Sequence, residues 1–564
     1  MMLQRTLSTL LLLILLAPFT FAKTDSIKLL AISGSDGGKG SIADIYLEVK
    51  PGNGNIFIDS FPLSKLDTQI STRFANQIAC DFLKEDCGKY DFFYTIRAKA
   101  SIVGGPSAGG AITILTISVL SDLKLDKKTV ITGTINSGGL IGPVAGLNEK
   151  IEAAIENNFT TIIIPKWQSD LNLSEIEKIK PEEKIKIVKV KNIEEALYYF
   201  TGKDFSTKEN NFSVPETYSQ KMKEVSQMLC DRAYQIRSTI TDINNSLYNI
   251  SENFINKSIE AEKREEYYSR GSYCFSANIR LRELDYQNKS EEDLMLIYND
   301  TRKELELLKG KLKKENLKTL SDLETNIIVI ERLKDAEKYL ESTPYDNLSG
   351  HFLAYSKERL FSAVAWSGFF DLKGKSIELD DIHLRTVCLK KTAEAEERIN
   401  YLELYLPSFI DNIKDSLKDA LESYYAEEYT QCIFKASKSK AEADILLTIL
   451  TIREDELKNV ILEKIEAIKK VIKKLEPEGI FPIIGYSYYE YSNSLIEDDL
   501  ISSVTFAEYS LEFSRLDLYF PSKNNFKVYI SKELIVIFMF GFLLGSLITM
   551  LTYVVVKKKN KTRR

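Results

Sequence analysis

The chain has 564 residues, of which 44% are hydrophobic and 28% are charged, and this composition excludes a largely disordered protein. Its length predicts two to four domains. The formal net charge of −6 argues against a nucleic-acid partner, because nucleic-acid-binding proteins gain affinity by neutralising phosphates with basic side chains.

Residues 1–22 have the pattern of a signal peptide. Arg5 precedes an apolar run from Leu10 to Leu16, and Thr20 and Ala22 are the small residues that a cleavage after Ala22 requires. An uncleaved anchor helix is the alternative interpretation.

Residues 23–205 alternate short apolar strands with helical patterns, which predicts an α/β domain. The strand-like segments are "SIKLLAIS", "IADIYLEVK", "YDFFYTIRA", "KTVITGTI" and "TTIIIP". The helical segments are "LDTQISTRFANQIACDFL", "PSAGGAITILTISVLSDL" and "NEKIEAAIENN". Pro106 suits the first position of the second helix, and Asn148 is the expected cap of the third.

The segment "VGGPSAGGA" places Ser107 among small residues, as expected of a nucleophile. A serine nucleophile needs a base. His351 and His383 are the only histidines and lie outside this half, so a histidine triad within the domain is excluded. Lys150 is the candidate base, because burial and the start of a helix both favour a neutral amine. An exposed lysine at a helix N-terminus is the alternative interpretation.

Two linked segments, "GGPSAGGA" and "VITGTINSGGLIGPVAGLNEKIEAA", resemble the proteolytic domain of the Lon family of serine proteases. Together with "GSDGGKGS" they are most similar to the membrane-anchored or secreted Lon-like proteases of archaea. The resemblance implies a catalytic dyad of Ser107 and Lys150, with Thr132 as a supporting residue. The family's T-G-E motif is "TGT" here, with Thr134 in place of the acidic residue, and Ala145 replaces the first glycine of its double glycine.

The resemblance also implies how the site works. Backbone N–H groups at Gly104, Gly105 and Ser107 are expected to form an oxyanion hole. The Thr132 hydroxyl is expected to hold the lysine amine. Lon-like domains commonly assemble into rings, so a homo-oligomer is expected, with polypeptide substrates and neither cofactor nor metal. Asp36 is expected in a hairpin turn, the alternative being a place in the cleft.

Full-length Lon proteases carry an ATPase module, which requires the phosphate-loop motif G-x-x-x-x-G-K-[ST]. The segment "GSDGGKGS" is a near miss, since Gly34 and Lys39 are five residues apart instead of six and Gly40 follows the lysine. We therefore expect ATP-independent cleavage of unfolded or extended polypeptides. Two rival interpretations stay open: a small-molecule kinase with a phosphate-binding loop, and an inert envelope scaffold or receptor.

After a polar linker at residues 206–216, residues 217–525 are nearly all helical in pattern. The six cysteines are an even number, and the spacing of 44 residues occurs twice: Cys80, Cys87, Cys230, Cys274, Cys388 and Cys432. The hypothesis is a duplicated helical hairpin, each copy joined by one disulfide, with a local bridge between the first two cysteines. The alternatives are a chance recurrence of packed residues and reduced, buried cysteines.

Residues 534–556 form an uncharged apolar stretch of 23 residues, long enough to cross the ~30 Å hydrocarbon core of a membrane. The basic tail "KKKNKTRR" at residues 557–564 follows directly. By the positive-inside rule this tail is cytoplasmic, which places both domains outside the cell on a single-pass anchor.

Overall fold

The computed structural model describes residues 22–32, 38–61, 63–98, 104–168, 185–205, 211–312, 317–342, 350–370, 372, 374–377, 379–407, 410–520 and 532–561. Asp36 and the predicted signal peptide up to residue 21 lie outside the described residues. The chain divides into two compact units, Met1–Phe520 and Pro521–Arg564.

The predicted α/β domain is confirmed as a seven-stranded sheet of order β3-β4-β2-β1-β5-β8-β9, with β6 and β7 as a separate antiparallel hairpin. Strands β1, β5, β8 and β9 run parallel, whereas β2 is antiparallel to both β1 and β4. The strands are β1 (Lys23–Ile32), β2 (Gly40–Pro51), β3 (Ile56–Phe61), β4 (Tyr90–Ala98), β5 (Thr129–Ile131), β6 (Thr134–Asn136), β7 (Leu140–Gly142), β8 (Thr161–Pro165) and β9 (Lys186–Val190).

Four helices cover the two faces of this sheet: α1 (Leu66–Leu83), α2 (Gly109–Leu120), α3 (Leu147–Glu156) and α4 (Ile193–Thr201). Side chains alternate between faces along a strand. Leu29 therefore packs with α1, α2 and α4, whereas Leu30 packs with α3 on the opposite face. Helices α2 and α3, which carry the two motif regions, thus lie on opposite faces.

The second half is helical, as predicted. Its helices are α5 (Glu216–Thr239), α6 (Ser246–Lys263), α7 (Tyr267–Gln287), α8 (Glu291–Leu312), α9 (Leu320–Glu341), α10 (Gly350–Trp366), α11 (Asp381–Glu403), α12 (Asp411–Tyr425), α13 (Tyr429–Thr451), α14 (Leu457–Leu475), α15 (Ile483–Leu495) and α16 (Leu500–Phe513).

All six cysteines form disulfides, in the predicted pairs Cys80–Cys87, Cys230–Cys274 and Cys388–Cys432. The second bond joins α5 to α7 and the third joins α11 to α13. Each bonded unit therefore contains three helices, one more than the predicted hairpin, because 44 residues are enough for a complete middle helix. That the two units are duplicates stays a prediction.

The helical half packs directly on the α/β half. The Arg398 guanidinium lies 3.5 Å from the ring centroid of Phe74 on α1, and Arg515 forms an ion pair with Asp81 at the end of α1. The predicted linker is described from residue 211 onward, and α5 begins at Glu216. The two halves therefore share a broad contact surface instead of being joined by the linker alone.

The C-terminal unit contains α17 (Lys532–Lys561). Its segment Phe538–Lys557 has a mean hydropathy of 2.1 and is the one span in the described residues long and apolar enough to cross a membrane. The predicted apolar helix at residues 534–556 is thereby confirmed, as a candidate span judged by length and composition.

Candidate functional site

Ser107 lies where β1 and β5 end. These strands are parallel, with Leu29 opposite Ile131, so their carboxyl ends share one edge of the sheet. Beyond β5, the Gly133 N–H donates to the Ser107 carbonyl at 3.0 Å, and the Gly110 N–H donates to the Gly133 carbonyl at 3.0 Å. These two hydrogen bonds fix the backbone of the serine loop against the end of β5.

Small residues allow this close approach. Gly105 has a φ of +98°, which side-chain-bearing residues rarely adopt, and Pro106–Ala108 then forms a short 3₁₀ turn leading into α2. A Cβ on Gly109 would lie 2.9 Å from the backbone nitrogen of Ile135 on the β6–β7 hairpin. The "GGPSAGGA" composition is therefore what lets Ser107 pack between α2 and the hairpin.

Lys150 lies in the first turn of α3, at the same edge of the sheet. Gly146, just before α3, has a φ of +62°, and a Cβ there would lie 1.8 Å from the Ile32 side chain at the end of β1. This contact sets the start of α3, so Gly146 and not Asn148 is the N-cap. The expected Asn148 cap is wrong because the helix begins at Leu147, two residues before the start at Glu149 that an Asn148 cap implies.

The Lys150 side chain is buried, because the residue is only 4% exposed. Burial lowers the pKa of its amine from 10.5 to about 8, although the adjacent Glu149 carboxylate opposes the shift. Within the described ranges no carboxylate lies close enough to form an ion pair with it. At a pKa of about 8, roughly one molecule in ten carries a neutral amine at pH 7.

Across the described part of the chain, no hydrogen bond joins the Ser107 hydroxyl to the Lys150 amine. Thr132 follows β5 at the same edge and is fully buried, and its Oγ1 has no hydrogen-bond partner. The expected hydrogen bond from the lysine to Thr132 is therefore not formed. Catalytic hydrogen bonds are often long in a protein without substrate.

Three buried polar atoms without partners belong to residues of this edge: Thr132 Oγ1, Thr134 Oγ1 and Asn148 Oδ1. An unsatisfied buried polar group costs about 1–3 kcal/mol, so these three atoms have hydrogen-bonding capacity left for water or for a bound substrate.

One of the expected oxyanion donors is already occupied. The Gly105 N–H donates to the Asp67 carboxylate at 3.0 Å, and the Thr68 hydroxyl donates to the Gly105 carbonyl at 3.5 Å. Gly104 is exposed, with the aliphatic chain of Lys65 close to its Cα. Sequence reasoning missed Asp67 and Lys65, since nothing in "LSKLD" indicates a contact with a loop almost forty residues away.

In the described part of the chain, no group of three or more His, Cys, Asp or Glu side chains is arranged to hold a metal ion.

Residues 82–201 match the C-terminal proteolytic domain of Lon protease (S16), and this range includes Ser107, Thr132 and Lys150. The α/β half contains a Lon-type proteolytic domain.

Individual Lon proteases show the same similarity. The chain is 42% identical over 93 residues to the Lon protease of Trichlorobacter lovleyi, covering 16% of this chain and 11% of that protein. It is 32% identical over 169 residues to the Lon protease of Fervidobacterium nodosum, covering 29% and 20%. It is 34% identical over 114 residues to the archaeal Lon protease of Pyrococcus abyssi, covering 20% and 11%. The chain thus spans a fifth or less of the length of these relatives.

Proposed function

We propose that this protein is a serine endopeptidase in which Ser107 is the nucleophile and Lys150 is the general base. The observation that carries the proposal is the buried Lys150 amine, whose pKa is lowered to about 8 and which has no carboxylate partner in the described residues. A structural lysine so deeply buried is normally paired with a carboxylate. The shared sheet edge with Ser107 and the Lon-type match add independent support.

The reaction follows from the two side chains. The neutral Lys150 amine accepts the proton of the Ser107 hydroxyl as the serine oxygen attacks a peptide carbonyl. The resulting ammonium then protonates the leaving amine, and water hydrolyses the acyl-enzyme. Thr132, buried and without a partner, accepts a hydrogen bond from the amine once the lysine turns towards Ser107.

The oxyanion is held by backbone N–H groups at the start of α2, where the helix dipole favours negative charge. Gly104 and Ser107 are donors in this proposal. Gly105 becomes a third donor when Asp67 releases its N–H, because that hydrogen bond now occupies it.

We further propose that cleavage is independent of ATP, acts on unfolded or extended polypeptides, and takes place on the outer face of the cell membrane. The 564 residues contain no phosphate-loop motif. All six cysteines are disulfide-bonded, which is typical of an oxidising compartment, and α17 suits a membrane anchor. A ring-shaped homo-oligomer is part of the proposal.

The test uses the full chain in detergent, with casein unfolded by reduction as substrate. We expect cleavage without ATP, no increase when ATP and Mg²⁺ are added, and covalent labelling of Ser107 by a fluorophosphonate probe. Ser107→Ala and Lys150→Met are expected to lose both activities, whereas Ser121→Ala and Lys124→Met, at exposed sites of the same domain, keep them. Equal cleavage by Lys150→Met and the parent would show that the dyad assignment is wrong.

A catalytically inert scaffold is the second candidate, and one observation favours it: Ser107 and Lys150 make no hydrogen bond, while Asp67 holds Gly105. The same labelling experiment separates the two candidates. An inert scaffold leaves Ser107 unlabelled at any pH, whereas a protease is labelled faster as Lys150 loses its proton.

A further inference from the structure

A cavity of about 280 Å³ lies inside the helical half, away from the proteolytic residues. Its walls come from seven helices, α5, α7, α9, α10, α13, α15 and α16. At about 30 Å³ per molecule this space would take roughly nine waters, which is close to the lower limit for small-molecule sites. It therefore suits a ligand the size of one large amino acid and is too small for a folded partner.

Three cationic side chains border the cavity: Arg332, Arg359 and Lys438. Arg359 is neutralised, since its Nη2 lies 2.8 Å from the Glu331 carboxylate and 2.9 Å from the Asp335 carboxylate. Both carboxylates are thus held by Arg359, and among the described residues the positive charges of Arg332 and Lys438 have no carboxylate in an ion pair closer than 3.8 Å.

Arg332 and Lys438 are therefore the two cations to consider. Arg332 donates from Nε to the Ser362 hydroxyl at 3.0 Å and from Nη1 to the Ile328 carbonyl at 3.2 Å, and its nearest carboxylate, on Glu331, is 3.8 Å away. Its Nη2 has no acceptor among the described residues. Among the described residues Lys438 makes no hydrogen bond and no ion pair, although its charge acts to lower the pKa of the nearby Glu331 and Asp335 carboxylates. Both cations therefore have donor capacity left for a ligand.

The charges around Arg332 also favour binding of an anion. Burial lowers the pKa of its guanidinium, and the neighbouring Arg359 cation lowers it further. An anion in the cavity would offset both effects, because an opposite charge favours the charged form.

Apart from its cations the wall is largely aromatic. Trp366 lies under the Arg332 guanidinium at 4.9 Å, and the Tyr488 hydroxyl has no hydrogen-bond partner within the described residues. The further aromatic residues of the wall include Phe275, Phe434, Phe506 and Phe513. Such a wall suits an apolar or aromatic group next to the charged end.

We propose that this cavity binds a monoanionic carboxylate attached to one aromatic or branched apolar group. The carboxylate lies against Arg332 and Lys438, and the apolar group lies among Trp366 and the phenylalanines. Two kinds of ligand carry such a carboxylate next to an apolar group: a free hydrophobic acid and the C-terminal residue of a peptide.

The test measures binding through the fluorescence of Trp366. The full chain in detergent carries Ser107→Ala, so that no ligand is cleaved, and Trp167→Phe, which removes the other tryptophan. N-acetyl-phenylalanine is expected to give a saturable change, and its carboxamide analogue to bind about ten-fold more weakly or less, since a hydrogen bond to a charged group is worth ~1.5–3 kcal/mol. Binding is measured equally well if the protease proposal fails, because this assay does not depend on cleavage.

Short peptides ending in phenylalanine, with a free or amidated C-terminus, distinguish the two sources. Binding of the free-carboxylate peptide supports a peptide C-terminus, and binding of the small acid alone supports a free acid.

Lys438→Met is expected to weaken binding of the acid about ten-fold. The unfolding temperature is expected to change little, because Lys438 makes no hydrogen bond or ion pair among the described residues and acts on Glu331 and Asp335 only through its charge. Lys303→Met, an exposed lysine on α8, is the matched control and is expected to bind as the parent does. The proposal is overturned if no probe gives a saturable signal, if acid and amide bind equally, or if Lys438→Met binds as tightly as the control. Should that variant fail to fold, the comparison of acid and amide on the parent decides alone.

Discussion

Lys150 has two properties that rarely occur together in a lysine: its side chain is buried, and no carboxylate among the described residues forms an ion pair with it. A buried ammonium without a partner costs stability, and a neutral amine is a competent base. The same burial that destabilises the charged amine therefore favours the neutral amine that the proposed mechanism requires. Thr132 also lowers the stability of the folded state, since its hydroxyl is buried without a hydrogen-bond partner in the described residues.

The pKa of Lys150 predicts how activity depends on pH. Fluorophosphonate labelling of Ser107 is expected to speed up as pH rises through about 8, where the amine loses its proton, and then to level off. The measurement is the labelling rate between pH 6 and pH 10. A rate that does not change over this range would remove Lys150 from the role of base.

The same shift predicts a stability effect. The unfolded amine titrates near 10.5 and the folded one near 8, so between these values the unfolded state binds more protons and stability rises with pH. Lys150→Met, which removes the charge, is expected to raise the free energy of unfolding at pH 7 by up to about 3 kcal/mol. This gain should shrink between pH 8 and pH 10.5. Urea unfolding at several pH values measures it, and a destabilised variant at pH 7 would contradict it.

Thr132→Val is a nearly isosteric change that removes the unpaired hydroxyl. We expect the free energy of unfolding to rise by about 1 kcal/mol, while Ser107 labelling becomes slower because the lysine loses its acceptor. Chemical unfolding and labelling on the same preparations check both parts. Lower stability together with unchanged labelling would show that Thr132 is only a packing residue.

At the scale of elements, the turn between β6 and β7 connects the two halves. Ser137 of this turn accepts from the Lys464 amine at 2.8 Å and donates to the Glu508 carboxylate at 2.7 Å, and Lys464 and Glu508 are themselves 2.6 Å apart. Both ions are about 1% exposed on their side chains. Since the β6–β7 hairpin also packs against the start of α2, the helical half supports the serine loop.

Lys464→Met is expected to cost about 3–5 kcal/mol in unfolding free energy, because it leaves the buried Glu508 carboxylate without its cation. Ser107 labelling is expected to fall as the hairpin loosens. Lys458→Met, on the same helix but in an exposed ion pair with Glu497, is the control and should change stability by less than about 1 kcal/mol. Adding Glu508→Leu to Lys464→Met should restore most of the loss. Equal effects of Lys464→Met and its control would exclude this connection.

At the scale of the whole molecule, the three disulfides and the candidate membrane span in α17 are the features behind the proposed location on the outer face of a membrane. In the proposed orientation, the α/β half would meet its substrates without a cytosolic ATPase to unfold them. The helical half, which packs on α1 and on the β6–β7 turn, would then take part in presenting substrate to the site.

The orientation can be tested with single introduced cysteines, since the structure leaves no cysteine free. In intact cells, Ser121→Cys is expected to react with a membrane-impermeant maleimide, whereas Thr562→Cys in the basic tail is expected to react only after lysis. Labelling of the tail cysteine before lysis would show that the orientation is reversed.

The sequence alone determined whatever depends on local pattern. Strand and helix periodicity predicted the α/β and helical halves, and the uncharged run of 23 residues predicted α17. The equal spacing of cysteines predicted the disulfide pairs. The linked motifs around Ser107 and Lys150 predicted the candidate site. Strands β3, β7 and β9 and helix α4 were not predicted, although α4 has a local start signal in its N-cap Asn192.

Only the tertiary structure decided what depends on distant contacts. It placed α2 and α3 on opposite faces yet brought their first turns to one edge of the sheet, and it replaced the expected Asn148 cap with Gly146. It also revealed the hydrogen bond from the Gly105 N–H to the Asp67 carboxylate, and the cavity of the helical half that is bordered by cationic side chains. These features depend on which remote segments meet in space, and a local pattern does not contain that information.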